Sequence, residues 1–248
     1  CLMELTILGC MGGYPTKDVG TTAYLLTSDD FKLLIDVGSN ALLSLEHHLD
    51  PLDLDAVILT HYHADHIADL GVLQYTFQLK EPAVGKSKKI LPIYGHVESE
   101  FFRLLEMPGV SEGIAYAPEE TLELGPFRIR FLKTVHPVPC YALRIEEIAT
   151  GKVFVFGADS AYLPAFVPFV KDADLFLADA NLFNGNERHH AHMTAGEVGT
   201  LAEEAAVKQL ILTHLPQKGT LSVLLDQAKE AAPSVSVTLA EKDRIITI

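Results

Sequence analysis

Short apolar, β-branched runs alternate with amphipathic stretches along the whole chain, the arrangement expected where helices cover a sheet. The runs predict strands at 3–8, 22–28 and 31–36. Another spans 54–60, entered through the turn residue Asp53 and ending on His61. From Asp65 to Leu79, residues Ile67, Leu70, Leu73 and Phe77 fall on one face of a predicted helix. Further strands are predicted at 90–94, 127–135, 140–146, 152–157, 174–178, 208–213 and 243–248, with helices near 98–106, 194–206 and 220–231. Thr194 followed by Glu197 fits a capping box and would open the second of these helices. A rhythm of strand, polar ligand-type residue and helix occurs at 55–79 and again at 174–206. No tandem repeat and no linker rich in Pro, Gly or Ser divides the two halves. One domain over 3–248 is therefore expected, of α/β class, with Cys1 and Leu2 ahead of Met3 set aside.

Composition narrows the partners. Hydrophobic residues make up 48% of the chain and charged ones 21%, which fits a packed globular protein and argues against a disordered one. No apolar run approaches the roughly 20 residues that cross a bilayer, and the N-terminus lacks a basic region followed by an apolar one. Neither a membrane nor a secretory route is indicated. Cys1, Cys10 and Cys140 have no spacing typical of a structural zinc site or a disulfide framework, so a reducing, cytoplasmic setting is expected. The net charge of −14 repels polyanions and disfavours a large nucleic-acid footprint. The one basic cluster, Lys80, Lys86, Lys88 and Lys89, shares its loop with Pro82 and Gly85 and reads as a solvated rim.

The chemistry concentrates after the strand at 54–60, in Thr60-His-Tyr-His-Ala-Asp-His-Ile-Ala-Asp-Leu70. Three imidazoles and a carboxylate packed behind an apolar strand are costly unless they are solvated, paired or ligating. Scattered surface histidines rarely fall in this spacing. His61 and His63, two apart in extended chain, can point one way and hold one ion. Asp65 and His66, adjacent at a helix start, project differently and can reach a second. Imidazoles with a carboxylate suit zinc best, and manganese, iron and nickel also accept such ligands.

His-x-His-x-Asp-His after a strand resembles the signature of the metallo-β-lactamase superfamily. Three later segments extend the resemblance: Thr134-Val-His136-Pro, Phe156-Gly-Ala-Asp159-Ser and Leu212-Thr-His214-Leu, each at a predicted strand end. Leu34-Ile-Asp36-Val-Gly38 resembles the family's second strand and turn, whose Asp steadies the metal-binding loop. The match runs in order from Met3 to about Gly219. It implies an αββα four-layer sandwich of two packed mixed sheets with outer helices. It also implies two divalent ions, with His61, His63 and His136 on one, Asp65, His66 and His214 on the other, and Asp159 bridging both. The ions would share a hydroxide whose parent water is acidified toward a pKa of about 7.

Asp174-Leu-Phe-Leu-Ala-Asp179-Ala-Asn-Leu followed by His189-His-Ala-His192-Met-Thr194 resembles the ribonuclease Z-like phosphodiesterase branch. There, an acidic residue supports a His that meets the phosphoryl group. His192 and Asp179 match those positions and, with Asp65, are the catalytic candidates that the resemblance supplies. His189 and His190 match nothing in the family and are expected to be exposed. Tyr14, on the loop after Gly12 and Gly13, would either touch substrate or pack its loop. True ribonuclease Z enzymes carry a long basic arm between the middle His and the bridging Asp. Here two predicted strands and a turn at Ala149-Thr-Gly-Lys152 fill the interval from His136 to Asp159. The expected substrate is thus a small or cyclic phosphodiester. Carboxylic ester, lactone or thioester hydrolysis is the alternative within the superfamily, followed by RNA processing. A non-catalytic metal-binding module stands further off, because no expected ligand is missing. Apolar residues on exposed faces leave room for a homodimer, common in the superfamily, although the sequence gives no direct sign of an interface.

Overall fold

The computed structural model describes residues 2–248. Two seven-stranded mixed sheets pack face to face, with helices outside them. The first half of the chain contributes β1 (Met3–Gly9), β2 (Ala23–Ser28), β3 (Phe31–Ile35), β4 (Ala56–Ile58), β5 (Leu91–Gly95) and β6 (Ser111–Ala115). The second half contributes β7 (Leu122–Leu124), β8 (Phe127–Lys133), β9 (Tyr141–Glu147), β10 (Val153–Phe156), β11 (Leu175–Asp179), β12 (Gln209–Thr213) and β13 (Ser236–Leu239). The last strand, β14 (Ile245–Thr247), returns to the first sheet. Spatial orders are β14-β1-β2-β3-β4-β5-β6 and β13-β12-β11-β10-β9-β8-β7. Each sheet is antiparallel over one half and parallel over the other: β3 to β6 run parallel, as do β10 to β13.

The faces between the sheets are aromatic and aliphatic. Tyr24 of β2 stands edge-on to Phe156 of β10, with centroids 5.1 Å apart, and its hydroxyl bonds to the Thr213 hydroxyl on β12. That single side chain ties the first sheet to the strand that leads to His214. The helices are α1 (Ala41–Glu46), α2 (Ala64–Ile67), α3 (Leu70–Leu79), α4 (Phe166–Val170), α5 (Ala195–Glu204) and α6 (Leu221–Ala231). Leu45, Leu70, Leu73 and Phe77 pack on the outer face of the first sheet, and Val198, Leu201 and Leu224 join the core at the second. The αββα expectation therefore holds.

Several elements differ from the sequence reading. The helix predicted over 65–79 breaks at Ala68 and Asp69, because Val37 N–H takes the His66 carbonyl at 2.8 Å and Asp69 N–H donates to the Val37 carbonyl at 3.1 Å. Those bonds fasten the metal-type motif to the turn after β3. The predicted strand 54–60 is regular only over Ala56–Ile58, since Leu59 and Thr60 turn toward the motif. Residues 100–105 are helical, but as a 3-10 helix entered through Ser99. The capping box is present, with Glu197 N–H on the Thr194 hydroxyl and Thr194 N–H on the Glu197 carboxylate. The edge strands β6, β7 and β13 and the short helices α1 and α4 were absent from the prediction.

Candidate metal centre

The expected metal ligands, with Asp36 and Asp179, sit at the C-terminal ends of strands, where parallel α/β sheets open to ligands, while His192 lies just before α5. Asp36 follows β3, the motif from His61 to His66 follows β4, and His136 follows β8. Asp159 follows β10, Asp179 ends β11, and His214 follows β12. Three of these turns hold a non-glycine residue in the left-handed region: Asp36 at φ 56°, Ala158 at φ 53° and His214 at φ 53°. Such conformations persist only where surrounding structure over-determines them.

Ligand-type atoms gather into three groups, the smallest of which is Asp179, His192 and His214 and shares His214 with one of the two larger ones. Of those two, one comprises His61, His63, His136 and Asp159, the other Asp65, His66, Asp159 and His214, and within each the atoms lie within 4.8 Å of one another. These are the two sets that the family resemblance implied. Asp159 is 2% exposed and its Oδ2 lies 3.3 Å from Nε2 of both His66 and His214, 3.7 Å from His61 Nε2 and 3.8 Å from His136 Nε2. One carboxylate oxygen thus faces four imidazoles drawn from both groups.

The histidine tautomers can be read from their outer partners. Thr60 gives its hydroxyl proton to Asp36 Oδ2, so at 3.0 Å it accepts from His61 Nδ1–H. His136 Nδ1–H donates to the Ala191 carbonyl at 3.1 Å, and His66 Nδ1–H donates to Asp36 Oδ2 at 2.7 Å. In each ring Nε2 is left to present a lone pair inward. Nε2 of His61 and of His136 lie 3.1 and 3.0 Å from His63 Nδ1. A proton on His63 Nδ1 can point squarely at only one of these two lone pairs, whereas a cation among the three nitrogens meets all of them, and ligands on a tetrahedral zinc at about 2.0–2.1 Å are themselves roughly 3.3 Å apart. His66 Nε2 is buried with no hydrogen-bond partner. The donor set and its geometry fit divalent cations.

Charge separates the two groups. Burial pushes His61, His63 and His136 below the usual histidine range, which keeps them neutral and ready to ligate. Burial acts the same way on His66, but Asp159 and Asp36 outweigh it and hold the ring up at about 10. Asp159 and Asp179 likewise raise His214 well above the usual value against burial. The carboxylates around the second group therefore call for positive charge, which a proton or a divalent ion supplies.

His192 stands outside the two groups of four but beside each, and forms the third group with Asp179 and His214, where the Asp179 carboxylate takes its Nδ1–H. Its ring centroid is 5.5 Å from that of His136 and 5.1 Å from that of His214. Nδ1–H donates to Asp179 Oδ2 at 2.7 Å, and the fully buried Asp179 also accepts from the backbone N–H of Ser160 and Asn181. Burial pushes His192 down and the Asp179 carboxylate pushes it up, with a net rise above 6.5. Gly12, Gly13, Tyr14, Asn181 and Lys218 join His192 and His214 around an open cleft of about 370 Å³. Tyr14, 55% exposed, is thus on the cleft rim.

The sequence reading missed three contributors. Gly13 N–H donates to Asp65 Oδ2 at 3.0 Å, and the Gly12-Gly13 pair after β1 is the signal that pointed there. Any Cβ on Gly12 would collide with His214 Nδ1 and the Asn181 amide. Asn181 donates its side-chain amide to the His214 carbonyl at 2.9 Å. His189, expected to be exposed, is half-buried, because its Nδ1 accepts the backbone N–H groups of Ala191 and His192 at 3.1 Å each. His190 is exposed as expected. The expected basic cluster is neutralised by neighbours: Lys80 by Asp50, Lys86 by Asp53, Lys88 by Glu81 and Lys89 by Asp55. Cys10 and Cys140 are buried free thiols, while Cys1 lies outside the described residues. Among the described residues no helix is long and apolar enough to cross a membrane.

A sandwich of two mixed sheets with His and Asp side chains gathered at its strand ends is the architecture of the β-lactamase superfamily. The chain belongs to that family: the model of the beta-lactamase superfamily domain matches residues 32–215. The protein from Bacillus subtilis described as probable metallo-hydrolase YhfI is 44% identical over 229 residues, covering 92% of this chain and 93% of that one. The crystal structure of YhfI superposes with a TM-score of 0.93 at 40% identity over 99% of both chains. Ribonuclease Z of Treponema denticola is 26% identical over 312 residues, covering 98% of this chain and 97% of that one. Human tRNase Z, short form, shares the fold at a TM-score of 0.76 and 22% identity, covering 98% of each chain.

Proposed function

We propose that this chain is a dinuclear metal-dependent phosphodiesterase acting on a small or cyclic phosphodiester. The observation that carries the reading is the Asp179–His192 pair at 2.7 Å, set between the two ligand groups and at the mouth of the cleft. In this reading His61, His63 and His136 hold one ion, Asp65, His66 and His214 the other, and Asp159 both, with zinc the best match to the donors. When bound, the ions supply Lewis acidity at the phosphoryl oxygens and an acidified water as nucleophile. The rest is work for the chain's own groups. With Nδ1–H fixed on Asp179, His192 is left Nε2 for the cleft, and the Asp179 carboxylate favours the protonated ring against burial. An imidazolium at that point stabilises charge on the non-bridging oxygens or gives its proton to the leaving oxygen. Asp65 is held by Gly13 N–H, so the loop after β1 fixes the wall that faces substrate.

Three features support a small substrate. Between His136 and Asp159 the chain is filled by the β9–β10 hairpin, with no room for a long arm. The alignment to the Treponema ribonuclease Z runs to 312 positions against 248 residues here, so that enzyme has stretches without counterpart in this chain. The surface lysines nearest to forming a basic patch are paired with acids. The test is hydrolysis of bis(p-nitrophenyl) phosphate and of cyclic nucleotides by zinc- or manganese-loaded protein, alongside a lactone and a thioester. Phosphodiester turnover that a chelator abolishes and metal restores is expected. Turnover of lactone or thioester with both phosphodiesters inert would move the chain to the carboxylic ester branch.

A further inference from the structure

The two sides of the proposed reaction centre differ in chemistry. On the His214 side the cleft carries polar side chains, Asn181, Gln217 and the exposed Lys218. On the His63 side lies a separate pocket of about 180 Å³, walled by Tyr62, Phe101, Val138 and Pro139, with Glu98 and Ser99 at its edge. His63 belongs both to this wall and to the first ligand group, so the pocket opens beside the reaction centre. Its walls are held rigidly. Tyr62 donates its hydroxyl to the His96 carbonyl at 2.7 Å, and His96 Nε2–H donates to the Pro139 carbonyl at 2.9 Å. Ser99 caps the 3-10 helix that presents Phe101, accepting Phe101 N–H at 3.2 Å. Phe101 is nonetheless 43% exposed, an aromatic face without a neighbour over it. The one acid at the rim, Glu98, is occupied by Lys133 at 2.8 Å and by the Tyr141 hydroxyl, so its charge does not oppose an anionic ligand.

We propose that this pocket is a subsite for an aromatic ring on one arm of the substrate, with Phe101 and Val138 as the residues that select it. The assignment rests on the phosphodiesterase reading for the identity of the scissile group, but not for the ring. The volume suits a single ring, since a cavity of about 150 Å³ lined by apolar side chains accepts benzene. An aromatic face gains from offset or edge contact with another ring beyond the area it covers. The polar arm then falls on the Lys218 side, which makes the centre direction-selective. The ring can belong to an aryl ester or to a nucleobase, and both present the same flat apolar face.

The test is ligand binding by calorimetry to the zinc-loaded protein, which needs no turnover. Phenyl phosphate is compared with methyl phosphate, thymidine 5′-phosphate with ribose 5-phosphate, and benzoate with acetate. In at least one pair the aromatic member is expected to bind about tenfold tighter or better, and Phe101→Ala is expected to erase most of that ratio while leaving the non-aromatic partner unchanged. Val138→Asn, which sets a neutral polar group in the pocket without touching Phe101, is expected to do the same. Which phosphate pair shows the ratio separates an aryl ester from a nucleobase. A ratio confined to benzoate and acetate would keep the subsite and overturn the phosphodiesterase reading. Ratios near one in all three pairs, ratios that survive both substitutions, or no measurable binding of any aromatic ligand would overturn the subsite.

Discussion

Asp36→Asn keeps the side chain's shape and removes its charge, at a position with no solvent exposure. Oδ1 accepts Thr60 N–H at 2.8 Å, while Oδ2 accepts the Thr60 hydroxyl at 2.8 Å and His66 Nδ1–H at 2.7 Å. An amide can retain the bond from Thr60 N–H through its oxygen. Its NH2 then faces His66 Nδ1, which must accept instead of donate. The ring proton moves to Nε2 and points at Asp159 and Asp65, where a ligand lone pair is needed. A hydrogen bond to a charged group contributes about 1.5–3 kcal/mol, and loss of such an outer partner lowers metal affinity by about 10–100-fold. The expected result is a loss of that size in the affinity of one ion. The His61, His63 and His136 group meets Asp36 only through the Thr60 hydroxyl on His61, keeps the His136 bond to Ala191, and changes less. Competition against a zinc-binding dye gives the two affinities, metal content after dialysis gives the stoichiometry, and circular dichroism checks the fold. Two ions held with unchanged affinity would refute the argument that Asp36 sets the His66 tautomer.

His192→Ala is expected to lower kcat on phosphodiesters by about 10²–10⁴-fold while two ions stay bound, with a smaller loss for p-nitrophenolate leaving groups if His192 protonates the leaving oxygen. Loss of metal in step with activity would place His192 among the ligands instead. Asp179→Asn removes the carboxylate that raises His192 and leaves burial, which lowers it. The protonated ring is then lost at lower pH, so the alkaline limb of the kcat profile is expected to shift toward acid; an unmoved limb at constant metal content would break the pairing argument. Asp159→Ala is expected to weaken both ions, more than any single His→Ala, because its Oδ2 faces imidazoles of both groups. Elemental analysis of the purified variant reads this, and two tightly held ions would contradict the bridging role. Replacing Lys86, Lys88 and Lys89 together by Ala is expected to leave KM for a small phosphodiester unchanged, since each already faces an acid; a large rise in KM would signal polyanion binding there.

The parts of the fold legible in the sequence are those where local pattern and tertiary burial agree. β1, β2, β3, β9 and β10 are apolar over most of their length, and their boundaries fall within a residue or two of the predicted ones. β6 reads Ser-Glu-Gly-Ile-Ala and β7 only Leu-Glu-Leu. As edge strands they gain their order from a neighbour and carry little pattern of their own. The helix over 65–79 has an unbroken apolar face, and nothing local marks its break; backbone bonds to Val37, distant in sequence, decide it. At the site, the His61–His66 cluster was legible from spacing alone. His136, Asp159 and His214 needed the family pattern, since a lone His or Asp at a strand end is usually an ordinary polar residue. His189 and Asn181 lay beyond reach, because their roles are bonds to backbone groups that only the folded turn brings together.

That division has a thermodynamic consequence for the centre itself. The adjacent ligands His61, His63, Asp65 and His66 come from the first sheet, whereas Asp159 and His214 come from the second, so neither group of four is complete on one sheet. The turns before Asp159 and at His214 are held in left-handed backbone, at a cost of about 1–3 kcal/mol each, which the packing between the sheets has to offset. A divalent ion that binds only this assembled arrangement stabilises the docked state by mass action. Metal should therefore raise the unfolding temperature of the whole two-sheet unit, in proportion to the logarithm of free ion above its Kd. Tyr24, whose hydroxyl bridges to Thr213 just before His214, is the link through which the effect should pass. Tyr24→Phe is expected to keep the apolar contact with Phe156 yet weaken the second-group ion more than the first. Equal weakening of both ions, read by the same dye competition, would show that Tyr24 acts on the core at large rather than on the His214 turn.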